Sequence, residues 1–364
     1  MYPMTINEKQ VLDALREVED PDLKKDLVTL NMIRNLHIEG KRISFTVMLT
    51  TPACPMKEMI HNACVRAIHL LVSQEAEVEI EMSAEVTGRK PKDQVLPGVK
   101  NIIAVASGKG GVGKSTVSMN LAIALTRSGS KVGLMDADIY GPSLPIMSGL
   151  QGEQPMAHNR DGKQWIQPLE RFGIKLMSIG FLVPQDHAII WRGPMASKAL
   201  GQFITDVDWG ELDYLIVDLP PGTGDIHLTL VQHLPLTGAV IVTTPQAVAL
   251  ADARKGLAMF QSDAVKVPVL GVIENMSWFS PPDMPEKKYH LFGKDGGKDL
   301  SIEKGVPLLG QIPMVESLRT GGDIGVPAAL EAEGLVAEAY LNLAGEVARQ
   351  VSMQNSRTFD TVIS

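Results

Sequence analysis

The chain reads as an α/β protein in which a mostly parallel, doubly wound sheet follows a small α+β domain of order αββαβ. Three observations lead there. From Asn101 onward, short β-branched runs alternate with helical segments, the pattern of a parallel sheet covered on both faces. Ahead of Thr87, two alternating strands follow each other between two amphipathic stretches. Between Thr87 and Lys100 the composition shifts to Gly-Arg-Lys-Pro-Lys-Asp-Gln-Val-Leu-Pro-Gly, which buries little. We therefore divide the chain into an α+β domain at 1–88, a linker at 89–99, a larger domain at 100–350 and a flexible tail at 351–364. A length of 364 residues suits two domains at roughly 100–200 residues each.

The first helix is expected from Thr5-Ile6-Asn7-Glu8, which has the spacing of a capping box. Val11, Leu12, Leu15 and Val18 follow at helical intervals, and Pro21 ends the run. A hairpin comes next: a run near Met32 to Ile38, a Glu39-Gly40 turn, then Ile43, Phe45, Val47 and Leu49 in alternation. A second helix starting near Pro55 places Ile60, Cys64, Ile68 and Leu71 on one stripe. Val78 to Val86 alternates as a third strand. In the larger domain, strands are expected at Ile102–Ala106, Val132–Met135, Tyr214–Val217, Ala239–Val242, Val269–Ile273 and Leu308–Ile312. Gln151 to Gln167 is polar and reads as an insertion.

Composition limits the function classes. With 45% apolar and 21% charged residues, the chain is globular rather than disordered. A net charge of -8 argues against a broad nucleic-acid surface, which needs clustered Lys and Arg. The start lacks a basic segment followed by an apolar run, so a secretory signal is not expected. No stretch is apolar for the roughly 20 residues of a membrane helix. Two cysteines, Cys54 and Cys64, are too few for a disulfide framework and fit a reducing compartment. The expected setting is cytoplasmic, with neither membrane nor nucleic acid as partner.

Gly108-Lys109-Gly110-Gly111-Val112-Gly113-Lys114-Ser115 satisfies the P-loop pattern between an apolar strand and the helix of Met119, Leu121, Ala122 and Leu125. Its glycines let backbone N–H groups face phosphate oxygens, and the helix N-terminus favours an anion. Lys114 is expected on the β- and γ-phosphates of ATP, and Ser115 on Mg2+. A Gly-rich turn that binds nothing is the bland alternative; three further motifs weigh against it. Asp136-Ala137-Asp138 ends the second strand of this domain, at the rim where ligands of doubly wound sheets collect. Tyr214-Leu215-Ile216-Val217-Asp218 is an apolar strand ending in an acid, as a Walker B does, so Asp218 is expected to hold magnesium through water. A plain turn or cap aspartate is the alternative there, countered by the Leu-Pro-Pro-Gly-Thr-Gly-Asp that follows.

With Lys109 in the loop, Lys109 to Thr116 resembles the deviant Walker A family that includes MinD, ParA and the nitrogenase iron protein. That resemblance implies an ATP-sandwich homodimer in which Lys109 reaches the partner's nucleotide; a solvated loop charge is the alternative. It also implies that Asp138 positions the attacking water, that Asp136 acts near magnesium, that Asn275 reads the adenine edge and that Pro313 flanks the base.

Nearly the whole chain resembles the Mrp/ApbC proteins, iron–sulfur cluster carriers of the Nbp type. The matches are Lys109 to Thr116, Met135-Asp136-Ala137-Asp138-Ile139-Tyr140-Gly141-Pro142-Ser143, Trp191-Arg192-Gly193-Pro194-Met195, Asp218 to Asp225 and Glu274-Asn275-Met276-Ser277. Residues 1–88 resemble the small PaaD-like domain often fused to these carriers, with Thr51-Pro52-Ala53-Cys54-Pro55 at its thiol position. The resemblance implies slow, Mg-dependent ATP hydrolysis, a labile 4Fe-4S cluster as cargo, and apo iron–sulfur proteins and an assembly scaffold as partners. One departure stands out. Family members commonly carry Cys-x-x-Cys after the Asn-Met-Ser segment, where thiolates of two subunits hold a cluster. Here that stretch reads Trp278-Phe279-Ser280-Pro281-Pro282-Asp283-Met284-Pro285. Either the first domain supplies ligands, or the protein assists assembly without holding a cluster.

Between the two thiols, Cys64 sits on the apolar stripe and reads as core. Cys54 lies between Pro52 and Pro55 at the expected start of the helix, where unpaired N–H groups and the dipole favour a thiolate. On one continuous helix the two would be separated by roughly 15 Å of rise and could not chelate one cluster. Cys54 is therefore the candidate iron–sulfur ligand, with a capping or packing cysteine as the alternative. A MinD-like membrane-positioning ATPase needs a basic amphipathic C-terminal helix, whereas Ala328 to Val351 carries Glu331, Glu333, Glu338 and Glu346 against Arg349. A ParA-like partitioning ATPase needs a basic surface, which the acidic balance disfavours.

Overall fold

The computed structural model describes residues 6–88, 95–160, 162–183, 193–224, 227, 230, 231, 233–281, 283, 284 and 286–363. Linker positions 89–94, and Trp191, Arg192, Asp225, Pro282 and Pro285 of the family motifs, lie outside the described residues. The chain divides into two units, Met1–Thr87 with Ala348–Ser364, and Gly88–Val347.

The first unit runs α1 (Glu8–Leu15), β1 (Ile33–Glu39), β2 (Arg42–Leu49), α2 (Lys57–Leu71) and β3 (Glu77–Ala84). β1 and β2 pair antiparallel across the Glu39-Gly40 turn, and β2 and β3 pair parallel. A parallel pair needs a long crossover, and α2 supplies it. Val11, Leu15, Ile43, Phe45, Val47, Ile60, Cys64 and Ile68 form the core. Two details differ from the sequence reading. The capping box of α1 uses Asn7 and Gln10, each side chain bonding the other's backbone N–H, because the helix begins at Glu8 rather than at Ile6. Leu71, expected on the buried stripe, is exposed because it is the last residue of α2, where the neighbouring strands no longer cover it.

The second unit holds an eight-stranded sheet. Its strands are β4 (Val99–Ser107), β5 (Val132–Asp136), β8 (Leu169–Arg171), β9 (Ile174–Ser178), β10 (Leu212–Pro221), β11 (Gly238–Thr243), β12 (Val269–Glu274) and β13 (Leu308–Gln311). The order is β13-β12-β11-β4-β10-β5-β9-β8, with β8 alone antiparallel to its neighbour. Helices α3 (Lys114–Arg127), α4 (Leu144–Ser148), α5 (Gly193–Thr205), α6 (Ala247–Gln261), α7 (Gly296–Lys304) and α8 (Glu316–Ile324) accompany it. The central strands are apolar throughout because both faces are covered: Ile103, Ala104, Val105, Leu215, Ile216, Val217 and Val240 are buried. The polar stretch read as an insertion is an antiparallel hairpin, β6 (Ala157–Arg160) with β7 (Lys163–Ile166).

Residues 351–364, read as a flexible tail, are a correction. Helix α9 runs Leu335–Ile363. Its C-terminal part belongs to the first unit, where Val351, Ser352 and Asn355 are buried. Arg349 pairs with Asp22 at 2.6 Å, Ser352 Oγ donates to Thr50 Oγ1, and Asn355 Nδ2 donates to the Thr87 carbonyl. These buried contacts outweigh the fraying expected of a chain end. Among the described residues no helix is long and apolar enough to cross a membrane.

Candidate active site

Sheet register assembles the acids. Asp136 ends β5 directly beside Asp218 of β10, and Asp218 lies opposite Val105 of β4, whose last residue, Ser107, precedes the loop 108–113. Three neighbouring strands thus end at one point, which is where open α/β sheets bind ligands. The loop then turns into α3 with Gly113 as N-cap at φ 81° and Gly111 at φ 82°, the left-handed region that glycine tolerates. Gly108 abuts the Asp252 backbone of α6 so closely that a Cβ has no room.

Within this frame the side chains converge on Asp218. The Lys114 ammonium stands 2.8 Å from Asp218 Oδ2, and both groups are almost fully buried. Ser115 Oγ donates to the same oxygen at 2.6 Å, and Ser118 Oγ donates to Oδ1 at 2.7 Å. Asp136 accepts from the Asp138 backbone N–H at 3.0 Å and from Ser178 Oγ at 2.9 Å. Burial above all, with Asp218 adding repulsion, pushes Asp136 up to about 7 against the attraction of Lys114. Asp138, half-buried, is also raised; burial is the main cause, Asp218 adds to it and Lys114 opposes. Lys109 is half-buried, its carbonyl accepts from Ser107 Oγ at 3.0 Å, and its ammonium has no ion-pair partner among the described residues.

Asn275, just beyond β12, donates from Nδ2 to the Val112 carbonyl at 2.9 Å. It lines a cavity of about 520 Å³ together with Gly113, Thr116, Met276, Phe279 and Pro313. The walls are apolar with a few polar groups, and the cavity opens from the start of α3. The structure therefore brings Gly113, Thr116, Asn275 and Pro313 together, and separately gathers Lys114, Ser115, Asp136 and Asp218. Ser118, Ser178 and His227 were absent from the sequence reading. Ser118 was findable, being one helical turn beyond Lys114 on the same face. Ser178 was not, because its meeting with Asp136 depends on the pairing of β9 with β5, which no local pattern contains.

The expected thiolate character of Cys54 is a correction. Helix α2 starts at Lys57 with Met56 as N-cap, so Cys54 sits in the preceding turn, its N–H donating to the Thr51 carbonyl at 3.3 Å. Burial pushes its thiol up; the Met56 backbone N–H is the main opposing influence, Asp20 and Asp22 add smaller upward pushes, and Arg349 opposes least. Cys64 is fully buried and pushed up to about 12. Among the described residues no cluster of three or more His, Cys, Asp or Glu is arranged to hold a metal ion.

The shifted Asp136 makes a pH prediction. A folded pKa of about 7 against the ordinary 3.8 means that the group's contribution to stability is complete below about pH 4 and is lost as pH rises to about 7. Asp136→Asn cannot ionise, so its stability relative to wild type should climb across that window and level off above it. Urea midpoints of both proteins between pH 4 and 8, without magnesium, check this; a difference that does not change with pH contradicts it.

The loop after the central strand, the buried lysine, the strand-end acids and the adjoining cavity define a P-loop NTPase. Residues 98–348 match the family model described as NUBPL iron-transfer P-loop NTPase, and residues 8–81 match that of an iron–sulfur cluster assembly protein. A Synechocystis protein described as an iron–sulfur cluster carrier is 52% identical over 346 residues, covering 94% of this chain and 97% of its own. The Escherichia coli protein so described is 41% identical, covering 94% and 92%. A nucleotide-binding protein of Archaeoglobus fulgidus, solved with ADP, is 38% identical with a TM-score of 0.57, covering 65% of this chain and 90% of that one. The chain belongs to the Mrp/ApbC family of iron–sulfur cluster carriers, ATP-binding P-loop NTPases preceded by an assembly-protein domain.

Proposed function

We propose that the chain hydrolyses ATP slowly with magnesium, as a cytoplasmic homodimer, and uses its nucleotide state to carry an iron–sulfur cluster to apo acceptor proteins. The observation that supports the ATPase part most directly is the convergence of Lys114 and Ser115 on Asp218 Oδ2, beside the Asn275–Pro313 cavity. In this reading the amides of 108–113 and the Lys114 ammonium take the phosphates, with Thr116 at the loop's end. Asn275 reads the adenine edge and Pro313 packs against the base. A hydroxyl and carboxylates are ligands suited to a hard cation, so Ser115, Asp218 (through water) and neighbouring Asp136 fit magnesium. When bound, magnesium neutralises charge on the β- and γ-oxygens. Asp138 orients the attacking water. Turnover is slow in a single chain because Lys109 completes a site only across the dimer.

The cargo part rests on family membership and on what the relatives are described as carrying. Cys54 is the half-buried thiol and Cys64 the inaccessible one, so one chain offers one usable ligand. The cluster, 4Fe-4S, is then labile and completed by a second subunit, an assembly scaffold, the acceptor or a small thiol. Anaerobic reconstitution with iron and sulfide tests this. Cys54→Ser should lose most of the iron, Cys64→Ser should keep the wild-type content, and loading should improve as pH rises because the Cys54 thiol is raised. Cys54→Ser retaining and transferring iron as wild type does would overturn the assignment. The raised thiols and the cysteine-free ATPase unit favour one second reading, an assembly-assisting interaction protein that holds no cluster.

A further inference from the structure

His227 is a buried titratable group that the mechanism above does not use. It is 2% exposed. Its Nε2 has no hydrogen-bond partner among the described residues and no access to water. Leaving a buried imidazole nitrogen unpaired is unfavourable, and a leucine of similar size would fill the same space without that cost. Such orphaned groups call for an explanation, and the place of this one in the chain suggests one.

His227 follows the turn Gly222–Gly224 that leaves β10 just after Asp218. The His227 backbone N–H donates to the Gly224 carbonyl at 3.0 Å, and the Gly222 N–H donates to the Ser107 carbonyl at 2.9 Å. Ser107 is the residue immediately before the phosphate loop, and Pro221 pairs with it across the sheet. The turn is thereby tied to the loop that takes the phosphates, with Gly222 at φ 95° leaving its backbone open on one side. Burial, and secondarily the Lys114 charge, push the His227 imidazole down to about 4, so that at neutral pH it is uncharged, with one nitrogen as donor and the other as acceptor.

We propose that His227 is a positioning residue for ATP hydrolysis: its unpaired imidazole nitrogen supplies a hydrogen bond that fixes the Gly222–Gly224 turn when nucleotide engages the loop. The inference rests on the ATPase reading above and names a residue that reading does not contain. It touches neither substrate nor magnesium; it acts through the turn. A neutral partner is suited to this task, since a second cation beside Lys114 would repel it. The bond holds the turn in its reactive arrangement, so its loss lowers the fraction of bound complexes that react and falls on kcat, while the part of it already made in the nucleotide complex adds a smaller rise in KM.

Two substitutions separate this role from packing. His227→Leu keeps the volume and removes both nitrogens; His227→Gln keeps a neutral donor and acceptor. His227→Leu should lower kcat about tenfold or more, with KM for ATP within about threefold and a melting temperature equal to or above wild type. His227→Gln should stay within about threefold of wild-type kcat. In hydrogen exchange, Mg with a non-hydrolysable ATP analogue should slow the Gly222–Gly224 amides in wild type and in His227→Gln but not in His227→Leu. Full kcat in His227→Leu, an equal loss in both variants, or equal protection in all three overturns the inference. Absence of turnover in wild type would instead overturn the ATPase reading, and the exchange measurement still decides the role of His227.

Discussion

Lys114→Ala should lower Mg-dependent ATP hydrolysis by roughly 10²–10³-fold or more, the loss typical of removing one preorganised charge-stabilising donor. Lys114 lies at the first turn of α3 with its ammonium 2.8 Å from Asp218 Oδ2 and its side chain only 6% exposed. A buried cation at that position cannot be replaced by water. The same substitution leaves the Asp218 carboxylate without its counter-charge, which for a buried pair costs about 3–5 kcal/mol before compensation. Ser115 and Ser118 still donate to both carboxylate oxygens, so the fold should survive with a lowered melting temperature. Lys114→Ala combined with Asp218→Asn removes both charges and should recover stability without recovering turnover. Undiminished hydrolysis in Lys114→Ala would show that ATP is processed elsewhere.

Mixing Lys109→Ala with Asp138→Ala subunits should restore activity that neither variant has alone. If Lys109 acts in trans, a mixed dimer contains one site with Asp138 from its own chain and Lys109 from the other. Random assortment gives half mixed dimers, so recovery should approach about a quarter of wild-type turnover. Structurally, Lys109 has the features this requires: it sits in the phosphate loop, and its ammonium is not committed to an ion pair among the described residues. No recovery, in a sample where mixed dimers are shown to form by mass spectrometry, contradicts the trans role.

Most of the fold was legible because its signals are local. The six apolar runs read from the sequence are six of the eight sheet strands, and the phosphate loop lies between the strand and helix that its pattern demands. The two strands missed, β8 and β9, end the sheet on one side: β8 is a three-residue edge strand of mixed sequence, and the five residues of β9, with Ile174, Leu176 and Met177 apolar, are a short run that was overlooked. In the site, the pairing of Asp136 with Asp218 follows from register across β5 and β10. That is a long-range fact no local pattern contains. Ser178 and the orphaned His227 nitrogen are invisible for the same reason. Cys54 shows the opposite failure: a local rule about helix starts was sound, but α2 begins at Lys57, two residues beyond the expected start near Pro55, and burial then dominates the thiol. The C-terminal part of the last helix was misread because polar, weakly apolar sequence looks frayed until its partners Thr50 and Thr87, and the neighbouring Arg349–Asp22 pair, are in place.

Nucleotide turnover and cluster carriage are joined in one chain. Wild-type protein, reconstituted anaerobically with iron and sulfide, desalted and mixed with an apo 4Fe-4S acceptor, tests it when ATP hydrolysis is followed in the same sample. The protein should then carry measurable iron and sulfide, activate the acceptor by transfer, and transfer at a rate that changes with Mg-ATP. ATP hydrolysis in a protein that neither retains nor transfers iron and sulfide would contradict it.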